Sequence, residues 1–464
     1  MPDSGIKAVS ATGQLGTGFK EASLRTAAKG AAFIAADAGS TDPGPYYLGS
    51  GQSQPSDQAV ARDLRLMLEI GLEAGVPLLV GSAGTAGGRP HVARVRRLIE
   101  EIAADRGLNF ALATIETELD REAVVTAWKS GRLRPLYNAP EIGEETIRSA
   151  ARIVAMAGPE PFQRAIAEGA QVVLAGRSSD TSLYVAVPAM RGIPVGIAYH
   201  AAKVLECGAA SVVQRLYPDS MMATLDTSGF TIEPPNPAMR CTPQSVASHT
   251  LYENGDPFLL TEPGGTLDTR LARYEAVSDR AVRVTGSQFI PAAEYTVRLE
   301  AATLRGYRTA VICGIRDPLV LRQLDSFISS SSDSIAAKAQ DSLGLRREDY
   351  ALTWRVYGHN GSLGRLEPEP QIGGHEIGAL IDIVAPTQTA ADALASLAWH
   401  TALHHPVPEY HGLVSNLAFP FSPPALSGGP VYEFTLNHAL VLDDPADASE
   451  MTISQISKAT PARV

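Results

Sequence analysis

"KGAAFIAADAGSTDPGP", Lys29 to Pro45, decides how this chain is read. A short apolar run ends at Asp37, and the ten positions from Ala36 to Pro45 hold two carboxylates, two hydroxyls, two glycines and two prolines. A brief apolar run closed by turn residues predicts a buried strand that delivers polar side chains to a loop at its end. The same order recurs in "VPLLVGSAG" (Val76 to Gly84), "NFALATIET" (Asn109 to Thr117) and "AQVVLAGRSSD" (Ala170 to Asp180). Between them, "SDQAVARDLRLMLEIGLEAG" and "PHVARVRRLIEEIAADRG" place apolar residues at helical spacing and stop at glycine. Alternating strands and helices predict an α/β fold, with an open, mostly parallel, doubly wound sheet in the N-terminal half.

After "TPQSVASHTLYENGDPFLLTEPGGTLD" the texture changes. "DRAVRVTGSQF", "EYTVRLEAA", "YRTAVICGIRD" and "YALTWRVYGHNG" alternate with period two, as strands with one wet face do. Helical patterns return near Leu319 to Ser342 and Gln388 to Leu403, and the serines of Ser326 to Ser334 read as a polar patch flanking a helix. The expectation is an α/β domain over 1–245 and a C-terminal α+β domain over 246–464.

Composition excludes several classes. The 464 residues are 45% hydrophobic and 19% charged, with a formal charge of −11, and no segment has the Lys/Arg density of a nucleic-acid surface. Cys207, Cys241 and Cys313 are far apart and form no CxxC pair, which fits reduced thiols. The first thirty residues interrupt any apolar core with glycines and charges, and no run approaches about eighteen apolar residues. A cytoplasmic protein with no membrane partner is expected.

Parallel strands place all their carboxyl ends on one edge, where open α/β sheets bind ligands. That edge should carry Asp37, Ser40, Thr41 and Asp42 after the first strand, Ser82 and Thr85 after the second, Glu116 after the third, and Arg177, Ser178 and Asp180 after the fourth. Asp, Ser and Thr also serve as plain helix caps and turn formers, so each taken alone has an ordinary reading. Arg177 does not cap a helix start, and its fork suits an anion. "GSAGTAGG" has neither a P-loop lysine nor a dinucleotide fingerprint, so no nucleotide cofactor is expected. In "GIAYHAAKVLECGAAS" the helical spacing puts His200, Lys203 and Cys207 on one face, with "RGIPVG" before it read as a further strand. A desolvated lysine there could be lowered toward neutrality to act as a base, although a surface lysine beside a core histidine has the same spacing. Arg308, Arg316, and the glycine-flanked His359 and Asn360 complete the candidates in the second half. His404 and His405 cannot face one way on a helix, and no structural zinc is expected.

"ATGQLGTGF", "ADAGSTDPGPYYLG", "PLLVGSAGTAGG", "AGRSSDTSLYVAVP", "YHAAKVLECGA", "SVASHTLYENGDP", "EPGGTLD", "VTGSQF", "GYRTAVICGIRDP", "YGHNGSLG" and "SNLAFPFSP" occur in that order. Together they resemble the acyclic-terpene-utilisation (AtuA-type) family, from about Gly13 to Pro445. The resemblance implies catabolism of branched terpenoid or other organic acids, often as CoA esters, and a possible separate small subunit of roughly a hundred residues. Where that family commonly has Tyr-Asp-Pro, His-Met-Gly-Lys and Lys-Asn-Gly, this chain has Ser179-Asp180-Thr181, Tyr199-His200-Ala201-Ala202-Lys203 and His359-Asn360-Gly361. A substrate unlike that of the terpene-pathway members follows.

Enolate-forming chemistry fits this inventory. Adding or removing water beside a carboxylate requires a base, an acid and cations over the carboxylate. Asp37, Asp42, Asp180, His200 and Lys203 are the proton-transfer candidates, and Ser40, Ser82, Arg177, Arg308, Arg316, His359 and Asn360 the binding candidates. A hydro-lyase for a small hydroxy acid or its CoA ester, active as a homo-oligomer, is the leading reading. A hydrolase opening a lactone or amide and a non-catalytic scaffold subunit stand as alternatives.

Overall fold

A computed structural model of the chain describes residues 5–369, 371–410 and 415–457. The chain builds two compact units, one from the chain up to Thr303 and from Phe434 onward, the other from Leu304–Glu433. The first is organised by a ten-stranded sheet. Its strands run in the order Arg273–Ala276, Val282–Thr285, Gly229–Glu233, Met221–Asp226, Ile6–Ser10, Phe33–Asp37, Leu78–Gly81, Val172–Ala175, Phe110–Glu116 and Glu450–Ile456.

Five central strands, from Ile6–Ser10 to Phe110–Glu116, are parallel. The strands on both flanks pair antiparallel. The expected mostly parallel sheet is therefore a mixed sheet with a parallel centre. One pair on a flank has a local cause, because the short turn between Asp226 and Gly229 can join only antiparallel strands. Three of the flanking strands come from beyond residue 245. The strand Ile6–Ser10, which was not among the expected strands, lies at the edge of the parallel block.

Strand alternation sorts the core into two layers. Phe33, Ala35, Leu79, Ile115 and Val173 face the helices Glu160–Ala167, Ser182–Met190 and Val195–Leu205. Ile34, Ala36, Leu78, Val80, Leu112 and Leu174 face Glu21–Ala28, Asp57–Ala74 and Arg89–Arg106. Helices thus cover both faces, as doubly winding requires. The helix after the Leu78 strand lies on one face and the helix after the adjacent Val172 strand on the other. Loops part at such a topological switch point and leave a crevice at the strand ends.

Two glycines allow those loops to close on each other. Gly39 has φ +147, and a Cβ there would overlap the backbone of Thr85; Gly87 has φ +67, and a Cβ would overlap the backbone nitrogen of Arg177. The glycines of "DAGST" and "GSAGTAGG" thus permit loop-to-loop packing.

Elsewhere in this unit "RGIPVG" is not a strand. Pro194 is the N-cap of the helix Val195–Leu205, and its fixed φ suits a helix entry. The segments "EYTVRLEAA" and "YRTAVICGIRD" form a single strand, Tyr295–Ile315. Its residues Leu299–Ala302 pair with Arg152–Ala155 in the first unit. In the second unit Tyr307–Ile315 pairs with Ile377–Ala385, which also pairs with Ala351–Tyr357, all antiparallel. Helices Leu324–Leu343 and Gln388–Leu403 pack with Val311, Ile381 and Ile383, giving the expected α+β texture. The serine-rich stretch lies inside the first of these helices, not beside it, and Ser330 and Ser332 donate to carbonyls of the preceding turn. Among the described residues no helix is long and apolar enough to cross a membrane.

The close loop packing is testable. Gly75, with φ +67 and nothing near its Cβ position, should lose about 1–2 kcal/mol on Gly75→Ala from handedness alone. Gly87→Ala should lose clearly more in urea denaturation, because backbone at Arg177 must also move.

Candidate functional site

A cleft of about 600 Å³ opens beside the loops that follow the Phe33 and Val172 strands. Asp42 follows the Phe33 strand, and Arg177 and Asp180 follow the Val172 strand. Lys203 and Glu206 close the helix Val195–Leu205, and Glu262 ends the strand Leu259–Glu262; all six line the cleft. Glu253 and Asp256 complete its charged wall, so six carboxylates face two cations.

Arg177 is almost fully buried. Its Nε donates to Glu300 Oε2 at 3.0 Å, and its Nη1 donates to Ser82 Oγ and to the Ser178 carbonyl, each at 3.1 Å. Asp180 Oδ1 lies 3.5 Å from Nη1. Glu300 is brought there by backbone pairing. Its strand pairs with Arg152–Ala155, and Ala157 beyond that strand accepts from Ser179 N and donates to the Arg177 carbonyl. Thr41 Oγ1 donates to Glu300 Oε1 at 3.0 Å, tying in the loop after the Phe33 strand. Burial, the largest effect, pulls the guanidinium pKa down, but the charge and hydrogen bond of Glu300 together with the Asp180 and Asp37 charges outweigh it, and Arg177 is held above its ordinary value. Burial opposes the Glu300 carboxylate, and Arg177 overcomes it and holds it below the usual range. The arginine expected to grip substrate is thus committed mainly to a buried ion pair.

Asp37 and Ser82 stand behind this pair rather than in the cleft lining. Asp37 Oδ2 accepts from Gly39 N at 3.0 Å, while its buried Oδ1 has no partner among the described residues. Burial, with the Asp180 charge adding, pushes the Asp37 carboxyl well above its usual range against the pull of Arg177. Burial also raises Asp180, and Arg177 counters it. Ser40 donates to Asp42 Oδ2 at 2.8 Å and closes the turn of that loop.

Lys203 Nζ donates to Glu206 Oε1 at 2.6 Å, with both side chains buried. Burial pulls the ammonium pKa down, but Glu206 wins and holds it above its ordinary value. That corrects the expectation of a lysine lowered toward neutrality: Lys203 is a cation. Burial first, then the neighbouring carboxylates, push Glu206 up to about 7 against the pull of Lys203. Glu262 is pushed up to about 8, again chiefly by burial, although Thr181 Oγ1 donates to its Oε2 at 2.6 Å.

The shared face of His200, Lys203 and Cys207 does not converge on one cleft. His200 is fully buried, its Nδ1 2.7 Å from Ser287 Oγ and its Nε2 3.0 Å from Thr250 Oγ1, and burial pushes it down to about 3. It is a neutral core histidine. Cys207 lines a smaller cavity with Gly13 and Gln14. Arg308, Arg316, His359 and Asn360 belong to the second unit. Arg308 Nε donates to Asp382 Oδ1 at 2.8 Å, and Arg316 lies 3.8 Å from Glu376. His359 lines a cavity of that unit, and Asn360 is absent from its lining.

Sequence reasoning missed Glu206, Glu262 and Glu300. Glu206 was accessible, because it follows Lys203 by three positions on a helix, an ordinary ion-pair spacing. Glu262 and Glu300 carry no such local signal. Among the described residues no group of three or more His, Cys, Asp or Glu side chains is placed to hold a metal ion.

A parallel centre with helices on both faces and a carboxylate-rich cleft beside its strand ends defines an α/β protein. The family model described as "Acyclic terpene utilisation family protein AtuA" matches residues 52–413, and the chain belongs to that family. Terpene utilisation is a catabolic setting. The matched stretch contains Arg177, Asp180, Lys203, Glu206 and Glu262 and begins after the loop of Asp37 and Asp42. No curated protein matches the chain, and neither does any solved structure.

Two outcomes follow from this arrangement. Arg177→Ala leaves the buried Glu300 with only the Thr41 hydroxyl and the more distant Arg298, 3.8 Å away, among the described residues, and should destabilise the fold by about 3–5 kcal/mol, whereas the double variant Arg177→Met, Glu300→Leu should lose less; chemical denaturation compares them. Glu206 and Glu262 bind protons in the folded chain over a range where the unfolded chain, with an ordinary value of 4.5, has released them. Their contribution therefore falls as pH rises from about 4.5 through about 8 and is level above that. Glu262→Gln should flatten the decline of melting temperature across that window.

Proposed function

We propose that the protein is a catabolic enzyme that adds or removes water next to the carboxyl group of a small hydroxy acid or its CoA ester. The observation that carries this reading is the Lys203–Glu206 ion pair, 2.6 Å long, in one cleft with Asp180 and Glu262. Elimination of water needs three functions together: a base for the α-proton, an acid for the departing hydroxyl, and positive charge over the developing enolate.

Each has a candidate here. Glu206, when ionised, takes the α-proton, and the Lys203 ammonium beside it stabilises the charge on the substrate carbonyl oxygen. Glu262, protonated up to about pH 8, gives its proton to the hydroxyl, which leaves as water. Addition of water reverses the same transfers. Arg177, held by Glu300, positions Asp180 at the cleft wall. Two carboxyls with elevated pKa values near the working pH suit acid and base roles better than ordinary carboxylates do. The protonated Glu262 also lessens repulsion in a cleft with six carboxylates, so an anionic substrate should bind more weakly once it ionises.

The test incubates the purified protein in D₂O with a panel of 2- and 3-hydroxy acids and their CoA thioesters, followed by proton NMR. Deuterium at the α-carbon or formation of the unsaturated acid is expected. Lys203→Met and Glu262→Gln should each lower turnover at least about a hundredfold, in line with the usual worth of a general acid or base, and the wild-type kcat/KM should fall above about pH 8. Release of a ring-opened acid from lactones, with no α-exchange in the hydroxy acids, would instead make the protein a hydrolase.

A further inference from the structure

The second unit has its own cavity of about 800 Å³, and its chemistry is the reverse of the strand-end cleft. Arg322, His359 and His375 line it, with Asp325 as the single carboxylate in the lining. Leu321, Leu324 and Ile372 supply an apolar wall. We propose that this cavity binds an organic carboxylate, with the carboxylate on Arg322 and the two imidazoles and its hydrocarbon part against the apolar wall.

The assignment rests on the guanidinium and the two imidazoles that share this lining. His359 Nδ1 is buried and has no partner among the described residues. A buried polar nitrogen without a protein partner is costly unless a water or a ligand answers it. Its position is built, not incidental. The backbone N–H groups of His359, Asn360 and Gly361 all donate to the Val356 carbonyl, at 3.2, 3.0 and 2.7 Å, and Gly358 has φ +91. This tight turn at the end of the strand Ala351–Tyr357 holds the imidazole at the cavity.

Arg322 is the second element. Most arginines of this chain are answered by a carboxylate, as Arg177 is by Glu300 and Arg308 by Asp382. Among the described residues Arg322 has no carboxylate within 4.0 Å, and neither it nor His375 makes a side-chain hydrogen bond. A guanidinium and two imidazoles around one cavity can supply several N–H donors to two carboxylate oxygens. The leucines and isoleucine favour an apolar tail, with each methylene removed from water contributing about 0.8 kcal/mol. This site is independent of the chemistry assigned to the strand-end cleft.

Isothermal titration of the full chain with octanoate, butyrate and inorganic phosphate tests the assignment. Octanoate should bind at one saturable site, more tightly than butyrate. Arg322→Met and His359→Phe should each weaken it at least tenfold, and Lys203→Met should leave it unchanged. Arg322 is exposed, so Arg322→Met should keep the fold, and its melting curve checks this. No octanoate binding, or tighter binding of phosphate than of octanoate, would overturn the proposal. Octanoate binding lost in Lys203→Met but kept in Arg322→Met would move the ligand to the strand-end cleft and also overturn it, without touching the water-addition reading.

Discussion

The Arg177–Glu300 ion pair is the constraint around which the strand-end cleft is arranged. Removing both charges from water costs several kcal/mol each, and only close geometry with further hydrogen bonds offsets that cost. Ser82, Ser178 and Thr41 supply those bonds. Four segments distant in sequence therefore meet at one point: the loops after the Phe33, Leu78 and Val172 strands, and the strand that carries Glu300. Asp42 and Asp180 take their places in the cleft because these loops are held there.

A cleft with six carboxylates and two cations cannot keep every group ionised without strong repulsion. Its proton content is therefore part of its structure. Lys203 and Arg177 are each held charged by a glutamate, while burial holds the carboxyls of Glu206 and Glu262 above their usual range, the latter accepting a hydrogen bond from Thr181. Partial neutralisation lets such a wall donate hydrogen bonds as well as accept them. The second unit's cavity has one carboxylate, an arginine and two histidines in its lining, so the linings of the two cavities differ in their balance of charge.

Much of the framework was legible from local pattern. The runs at Ile34, Leu79, Leu112 and Val173 are strands, and "SDQAVARDLRLMLEIGLEAG" and "PHVARVRRLIEEIAADRG" contain the helices Asp57–Ala74 and Arg89–Arg106. Period and stop signals sufficed because they are local. The same reasoning placed Asp42, Arg177 and Asp180 at a strand-end rim, and these line one cleft, whereas Asp37, Ser40 and Ser82 of the same rim do not, and Lys203 reaches the cleft from a helix that no strand precedes as expected. It failed at His200, whose helical spacing with Lys203 is real but whose ring turns into a packed layer against Phe230 and Tyr274. Spacing places a side chain on a helix face without telling what that face meets.

By itself the sequence determined which segments are strands or helices, which of their faces are apolar, and which polar residues follow each strand. It also carries the order of motifs that marks the family. Tertiary structure alone decided that the Val172 strand inserts between the Leu78 and Phe110 strands, which creates the switch point and brings Arg177 to Ser82. It alone brought Glu300 to Arg177 and Glu262 to the cleft of Lys203 and Glu206. The reason is physical: periodicity records burial along one segment, whereas strand order and ion pairing depend on backbone hydrogen bonds and charges between segments far apart in the chain.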